Sequence, residues 1–542
     1  MVRRRVFGIG LVACALGAGG CGSDDTKSDA SGGSSSTGGA AGAGGQGGAA
    51  GSAGTGGAPP SCDTPPAPTG DAMFDDVAKW YFAKMIEAKA PGGALVVYID
   101  GKLHKATFGS KKATACDPVT QGTRFSLTRM AHPLTSLAAV RMALATNPLI
   151  SLDDPITKWM PELIEHLVDG KSKARGAKLT LRHLLSNTSG YWPVYWSLGA
   201  CPDIAPPQAR GEGPDSLAAF FVPNQATVVH EPGQMWMHSE PAVTLAARVL
   251  EKAAGKTFAA LMKERLSDPS GIGLSFDASE VEAGDYAHAI VNSCSAVVAP
   301  TWGAYADVND IGKMVASLAA GGGDGVFSKE EVKSVLDAGA SVVSPAKGGK
   351  ASMGWQHLPY PPHGTIAQRG AKVENTNGWA AASHFVIVPE KQFGFAVVAN
   401  SAPGDVQWDE VHEKVLNEYL PGFKAYDYGQ VASTWGEYAG QYKGEDGALA
   451  QVQVEGAQLK LTVTGNAKAG EYLLVPAGFV WWGFTTEQGN SIDHDWFGRV
   501  DTLMTPSFRF YRDGTTGQPV GFGCFVSEYG KIPTLGPFLR VP

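Results

Sequence analysis

Leu179-Thr180-Leu181-Arg182-His183-Leu184-Leu185-Ser186-Asn187-Thr188-Ser189-Gly190 is the stretch around which the other segments fall into order. Thr180 supplies an N-cap hydroxyl, and Arg182-His183-Leu184-Leu185 continues as a short helix. Asn187-Thr188-Ser189-Gly190 stops that helix, because residues of this kind favour turns. On the N-terminal side Leu152-Asp153-Asp154-Pro155 reads as a turn. On the C-terminal side Glu231-Pro232-Gly233 leads into an extended piece, Met235 to Glu240. Pro241 then suits the first turn of a helix that Gly255 ends.

The pattern extends in both directions. A helix starts near Asp71, carries Phe74, Val77, Tyr81 and Met85 on one side, and ends before Pro91-Gly92. Ala94 to Ile99 and Lys102 to Phe108 flank Asp100-Gly101, the signature of a hairpin with a type I′ turn. Thr128 to Ala145 reads as a helix with Thr128 as candidate N-cap. Ser328 and Glu331 form a capping-box pair for a helix Lys329 to Leu336. His384 to Val388 and Phe393 to Ala399 predict a second hairpin, and Val411 to Leu420 a last helix. Helices around a sheet drawn from both chain ends make an α+β domain over residues 69–425. From Tyr428 the pattern changes to short strands, Gln451 to Val454, Gln458 to Val463, Leu473 to Val475, Phe479 to Phe484, Phe508 to Tyr511 and Val520 to Val526. They predict a small β-barrel or sandwich over residues 428–542.

Taken together, these segments resemble the serine β-lactamase family, in the branch of class C enzymes, D-alanyl-D-alanine carboxypeptidases and esterases. The resemblance rests on Phe125 and Pro133 around a helix start, Leu152 to Pro155, Leu179 to Gly190, Glu231-Pro232-Gly233, Leu245 to Lys256, Thr301-Trp302-Gly303 ahead of Asp310, and the hairpin His384 to Ala399. It covers about residues 75–420 and implies a β-lactamase/penicillin-binding-protein-like fold, an antiparallel sheet flanked by helices with a helical subdomain. The C-terminal unit looks like the lipocalin-like β-domain often appended to such proteins.

The resemblance also implies three motifs around one pocket. A Ser and a Lys lie three residues apart at a helix start, and the Lys takes the proton from the attacking Ser. A Tyr and an Asn two apart on an extended piece face the same way. A Lys or His, then Thr or Ser, then Gly lies on a sheet-edge strand. Anchored on Phe125 and Pro133, the first motif here reads Arg129-Met130-Ala131-His132. Anchored on Pro232-Gly233 and Glu251-Lys252, the second reads His238-Ser239-Glu240, and counting back from Gly378-Trp379 gives Lys372-Val373-Glu374 for the third. Arg129 thus holds the nucleophile position and His132 the base position. A guanidinium stays charged at any workable pH and cannot attack an acyl carbon. Neighbouring hydroxyls are poor substitutes: Ser239 should point away from the pocket, Thr128 caps the helix, and Ser126 has no adjacent Lys.

Three readings of this pocket follow. In the first, Arg129 and Lys372 pair with Glu240 and Glu374, fill the former substrate space, and leave a pseudoenzyme with a structural role. In the second, Arg129 and Lys372 hold an anion such as a small carboxylate or a cell-wall peptide end. In the third, His132, His238 and Glu240 hold a metal or act as an acid–base set in a hydrolase of another type; the positive charge of Arg129 and Lys372 opposes a cation there. The pseudoenzyme reading is preferred and requires no cofactor. His183, His384 and Trp481-Trp482 are read as packing residues.

The N-terminus opens with Arg3-Arg4-Arg5, an apolar run Val6 to Leu16, and Ala18-Gly19-Gly20-Cys21. Residues 1–20 read as a bacterial signal peptide and Cys21 as a lipidated anchor. Cys14, or plain secretion, are the alternatives. Residues 21–68 form the anchor and a linker rich in Gly, Ala and Ser, and a flexible chain of about 40 such residues has a root-mean-square span of about 35 Å. Export to the cell envelope allows disulfides, for which Cys62–Cys116 and Cys201–Cys294 are candidate pairs. The 542-residue chain carries a net charge of −8 with no basic block, which argues against nucleic-acid binding. No apolar run reaches the length of a membrane-spanning helix, so membrane attachment is expected through the lipid alone.

Overall fold

A computed structural model describes the chain from residue 62 onward. It leaves out 63–64, 192–227, 234–238, 277–286, 288–299, 338–349, 359–364, 375–378, 401–407, 423–434, 486–495, 500–506, 513–517, 526–534 and isolated positions (89, 113–114, 168, 229–230, 421, 457, 467–468, 477, 481–482). The expected signal peptide, Cys21 and Cys14 lie outside the described residues, as do Cys201–Cys294 and Trp481-Trp482.

Helix α1 (Ala72–Glu87) begins where Asp71 accepts the Phe74 N–H, and it buries Phe74, Val77, Tyr81 and Met85. Strands β1 (Gly92–Ile99) and β2 (Lys102–Lys112) follow, joined through Asp100 (φ 50°) and Gly101 (φ 75°). Both turn residues sit in the left-handed region that a type I′ hairpin requires. Strands β3 (Ala115–Pro118) and β4 (Arg124–Ser126) come next. Helix α2 (Ala131–Leu144), helix α3 (Gly170–Gly176) and helix α4 (Leu181–Leu185) belong to the helical side of the body. Later strands are β5 (Tyr305–Asp307), β6 (Lys350–Ala351), β7 (Gln356–Leu358), β8 (Thr365–Glu374), β9 (Trp379–Val388) and β10 (Phe393–Ala399). Eight of these strands form one antiparallel sheet, β3-β2-β1-β10-β9-β8-β7-β6, while β4 pairs with β5 apart from it.

Strand alternation divides the core between the two sheet faces. Leu95 and Val97 of β1, with Phe395 and Val397 of β10, pack against α1 and the helix Trp408–Tyr419. Ala94, Val96, Ala396 and Val398 face the other way, into a larger core shared with α2, α4 and the helices Glu240–Ala254 and Val308–Ala320. Period-two side-chain placement is what lets one strand serve two cores. A disulfide joins Cys62 to Cys116 on β3, the first of the two pairings considered.

The C-terminal unit runs through β11 (Gly440–Gly444), β12 (Leu449–Glu455), β13 (Gln458–Thr464) and β14 (Gly470–Pro476). A two-stranded hairpin, β15 (Gly478–Val480) and β16 (Gly483–Thr485), precedes β17 (Trp496–Arg499), β18 (Ser507–Arg512), β19 (Pro519–Phe525) and β20 (Leu535–Arg540). These strands close into a barrel, β11-β12-β13-β14-β17-β18-β19-β20, so of the two alternatives the barrel is formed. Its interior holds Tyr438, Tyr442, Phe510, Phe522 and Phe538, with Phe522 and Phe538 stacked at 4.9 Å.

Two local expectations are corrected. Thr128 is not the N-cap of a helix: a 3-10 turn covers Thr128–Met130 and the α-helix starts at Ala131. Glu240 does not belong to an extended piece, since it is the first residue of the helix Glu240–Ala254.

Candidate functional site

The site is built where β4 turns into α2. Leu127 N–H donates to the Ala304 carbonyl (2.8 Å), which fixes the chain against the segment preceding β5. At Thr128 the backbone takes φ 45°, a left-handed conformation that costs a β-branched residue on the order of 1–2 kcal/mol. Ser383 of β9 helps hold it. The Ser383 hydroxyl donates to the Leu127 carbonyl (2.8 Å) and lies 2.6 Å from the Thr128 hydroxyl. With the Ser383 hydrogen committed to the carbonyl, the Thr128 hydroxyl is the donor between the two. This long-range pairing explains the missing cap: the Thr128 hydroxyl turns toward the sheet and away from the first turn of α2.

Arg129 follows directly. Its guanidinium carbon lies 5.0 Å from the Trp302 ring centroid, and Trp302 is buried. Stacking on an indole face stabilises a guanidinium by about 0.5–2 kcal/mol, depending on its desolvation. His132 sits in the first turn of α2, 3% exposed, with Nε2 2.7 Å from the Leu185 carbonyl. A carbonyl only accepts, so Nε2 carries the hydrogen and acts there as a donor. Leu185 ends α4, so the Leu179 to Gly190 stretch itself fixes this imidazole. Gly354 covers the same helix start: at φ 90°, a Cβ added there would lie 2.8 Å from the Pro133 nitrogen.

Ser239 is fully buried and caps the helix Glu240–Ala254 by accepting the Ala242 N–H (3.2 Å). The Ser239 N–H donates to Asn187 Oδ1 (3.0 Å), which again ties the site to the Leu179 to Gly190 stretch. Ser126 accepts the Thr128 N–H at 3.4 Å. Thus Ser126, Thr128 and Ser239 each have a framework hydrogen bond, and no amine is among those partners.

Lys372 and Glu374 lie two apart on β8, in register with Ala381 and Trp379 of β9, and both strands run beside the turn Thr128–Met130. Strand periodicity puts the two residues on one face. Their side chains, that of Glu240, and the whole of His238 lie outside the described residues, as does the pairing of Arg129 and Lys372 with Glu240 and Glu374. Among the described residues no group of three or more His, Cys, Asp or Glu is placed to hold a metal ion.

His183 completes a capping box with Thr180: its N–H donates to Thr180 Oγ1 (3.2 Å), and Nδ1 accepts the Thr180 N–H (3.3 Å). Burial pushes the His183 pKa below its usual value, against the pull of Asp153. His384 is buried beside His412, with Nε2 to Nδ1 at 3.1 Å. Sequence reasoning missed two site residues, Ser383 and Trp302. Ser383 is a polar residue in an apolar strand, a signal for a buried hydrogen bond. Trp302 stands in the sequence as a framework residue, and nothing local tells that it meets Arg129.

A profile of the family described as Beta-lactamase matches residues 72–418, well over half of the chain. Esterase EstB of Burkholderia gladioli is 28% identical over 209 residues, which are 37% of this chain and 49% of that protein. A β-lactamase of Escherichia coli is 27% identical, over 39% of this chain and 49% of its own length. Penicillin-binding protein 4* of Bacillus subtilis is 26% identical, over 31% and 34%. The chain therefore spans about half, or less, of the length of the curated relatives it matches. Among solved structures, the octameric penicillin-binding protein homologue from Pyrococcus abyssi superposes with TM-score 0.54 at 19% identity, covering 85% of this chain and 98% of that one. A β-lactamase/D-alanine carboxypeptidase from Pseudomonas syringae gives 0.52 at 19%, covering 65% and 100%. At that identity the two superpositions speak for the fold.

Proposed function

We propose that this chain, which belongs to the β-lactamase family, is a catalytically degenerate member whose pocket binds a small carboxylate instead of turning over an acyl substrate. The observation that carries this reading is the turn Thr128–Met130. A guanidinium backed by Trp302 stands there, while the hydroxyls of Ser126, Thr128 and Ser239 are engaged by the framework. Acyl transfer needs an oxygen whose proton a base can take. His132 commits its Nε2 hydrogen to the Leu185 carbonyl, a framework bond. Losing the nucleophile of a well-studied serine hydrolase costs roughly a millionfold in turnover. Arg129, in contrast, offers a planar fork of donors suited to a carboxylate. Lys372, on a strand beside the same turn, would add positive charge. By analogy with the family alone, cell-wall peptide ends are the carboxylates to test first. The Cys62–Cys116 disulfide supports an exported protein, since disulfides persist in oxidising compartments. With the Gly- and Ala-rich N-terminal stretch and Cys21, it supports a tethered lipoprotein at the cell envelope.

The test is covalent labelling of the full chain with a penicillin and with a fluorophosphonate, read by intact mass, beside Arg129→Ser/His132→Lys. No adduct is expected on the unmodified chain, and one on that chain would overturn the proposal. Calorimetry with a peptide ending in D-alanine should give heat that Arg129→Ala removes. Equal heat from both proteins would end the binding half of the reading.

A further inference from the structure

Body and barrel do not share a core. The two apolar clusters on the faces of the large sheet draw their buried residues from 74–420, and the barrel cluster draws its own from 435–538. Among the described residues no apolar cluster spans the two. Domains joined without a large hydrophobic interface are free to move against each other unless polar contacts hold them.

The ion pairs described between body and barrel end on one carboxylate. Glu445 lies in the turn between β11 and β12. Its Oε1 accepts from Arg175 Nη2 (2.5 Å) and its Oε2 from Lys171 Nζ (3.2 Å). The turn is braced from the barrel side. Gly447 N–H donates to the Gly444 carbonyl (3.0 Å), and Asp446 accepts Ala448 N–H and Asn466 Nδ2, each at 3.0 Å. The carboxylate therefore travels with the barrel.

The cations are fixed from the body side. Lys171 and Arg175 stand one turn apart on α3, and Lys178 follows its end. Arg175 is 7% exposed. Its Nη1 donates to the Val228 carbonyl (3.2 Å) and its Nε to Glu231 Oε1 (3.4 Å), while Glu231 Oε2 accepts from Lys178 (2.9 Å). Glu231 supplies one carboxylate to these three cations from the body, and Glu445 supplies another from the barrel. Glu445 and Lys171 are 36% and 65% exposed, so dissolved ions reach the pair.

We propose that the barrel is a hinged domain seated on α3 by an electrostatic latch, in which the Glu445 carboxylate engages Arg175 and Lys171. Salt or loss of the carboxylate releases the latch, and the barrel swings off α3 with its own core intact. The opposing account is a barrel fixed by other contacts, on which Glu445 merely shields a guanidinium.

Arg175 is the reporter. Phenylglyoxal modifies accessible guanidinium groups, and its rate at Arg175 is read by peptide mass spectrometry on the full chain. At low salt Glu445→Gln should raise that rate about two- to fivefold, the range for losing an ion pair of this exposure. Salt at about 1 M, where screening acts within about 3 Å, should accelerate the parent and leave Glu445→Gln nearly unchanged. Glu445→Lys sets like charges against each other, so small-angle scattering should show a larger radius of gyration at low salt. Amide exchange in β12 and β13 should stay at the parent's rate in both variants. Glu471→Gln, which removes a pair with Lys460 inside the barrel, should leave Arg175 reactivity and size unchanged. Parent-level reactivity in Glu445→Gln, equal salt acceleration in both proteins, or an unchanged radius of gyration in Glu445→Lys would overturn the proposal. Faster exchange in β12 and β13 would also overturn it, since the barrel would then unfold and not swing.

Discussion

Glu251→Ala is expected to be the most damaging single truncation among the charged residues of the helical side. Glu251 is 1% exposed and pairs with Arg248, 2% exposed, one turn earlier on the helix Glu240–Ala254. Its other oxygen accepts the Phe258 N–H at 2.6 Å, which joins this helix to the next. Burial pushes the Glu251 carboxyl pKa up, while Arg248 and the Phe258 amide pull it down. Removing one partner of a buried pair costs about 3–5 kcal/mol, because the remaining charge loses its compensation. The orphaned Phe258 amide falls within that range, since the same carboxylate serves both. At about 2 °C per kcal/mol for a body of this size, the melting temperature should fall by roughly 6–10 °C. Urea unfolding should show a lower midpoint with the slope preserved. Arg248→Met/Glu251→Gln keeps an acceptor for Phe258 and removes both charges, so it should recover most of the loss. A loss under about 1 kcal/mol in Glu251→Ala, or a double variant no better than it, would refute the reasoning.

Other outcomes follow from the same geometry. His183 must be neutral for Nδ1 to accept the Thr180 N–H, and its folded pKa lies below the usual 6.5. Between those two values the unfolded chain binds the proton that the folded one refuses, so stability rises with pH there. It should be complete above about 6.5 and decline on acidification from that point. His183→Gln keeps a capping-box acceptor and should remove this part of the acid loss in denaturation curves taken across pH; an unchanged acid limb would show that His183 is not its source. Gly354→Ala places a Cβ 2.8 Å from the Pro133 nitrogen at φ 90°, so backbone must move. A loss of about 2–4 kcal/mol by calorimetry is expected, and a melting temperature within a degree of the parent's would contradict it.

Local chemistry made much of the architecture legible. Asp100-Gly101 specified its hairpin, Ser328 and Glu331 form their capping box, and Thr180 begins α4 as its hydroxyl requires. The anchors Phe125, Pro133 and Glu231-Pro232-Gly233 sufficed for the family. The cap expected at Thr128 fails because its hydroxyl meets a partner 255 residues away instead of its own helix. Tertiary contacts override cap propensity wherever they offer the hydroxyl a better-placed partner. Ser383, Trp302 and the link from Arg175 to Glu445, 270 residues apart, belong to the same class. No window of sequence contains both members of such a pair.

The barrel axis is occupied by rings. Tyr438 and Phe510 lie 4.6 Å apart, Phe510 and Phe522 5.3 Å, and Tyr442 and Phe522 5.1 Å. Eight strands enclose a lumen just wide enough to be either stuffed with side chains or left hollow for cargo. This one is stuffed along the ring cluster, so the module does not work as a vessel there. Along that cluster, contact with other molecules falls to the rim and outer wall, which makes the described hairpin tips the place where drift in sequence would be felt.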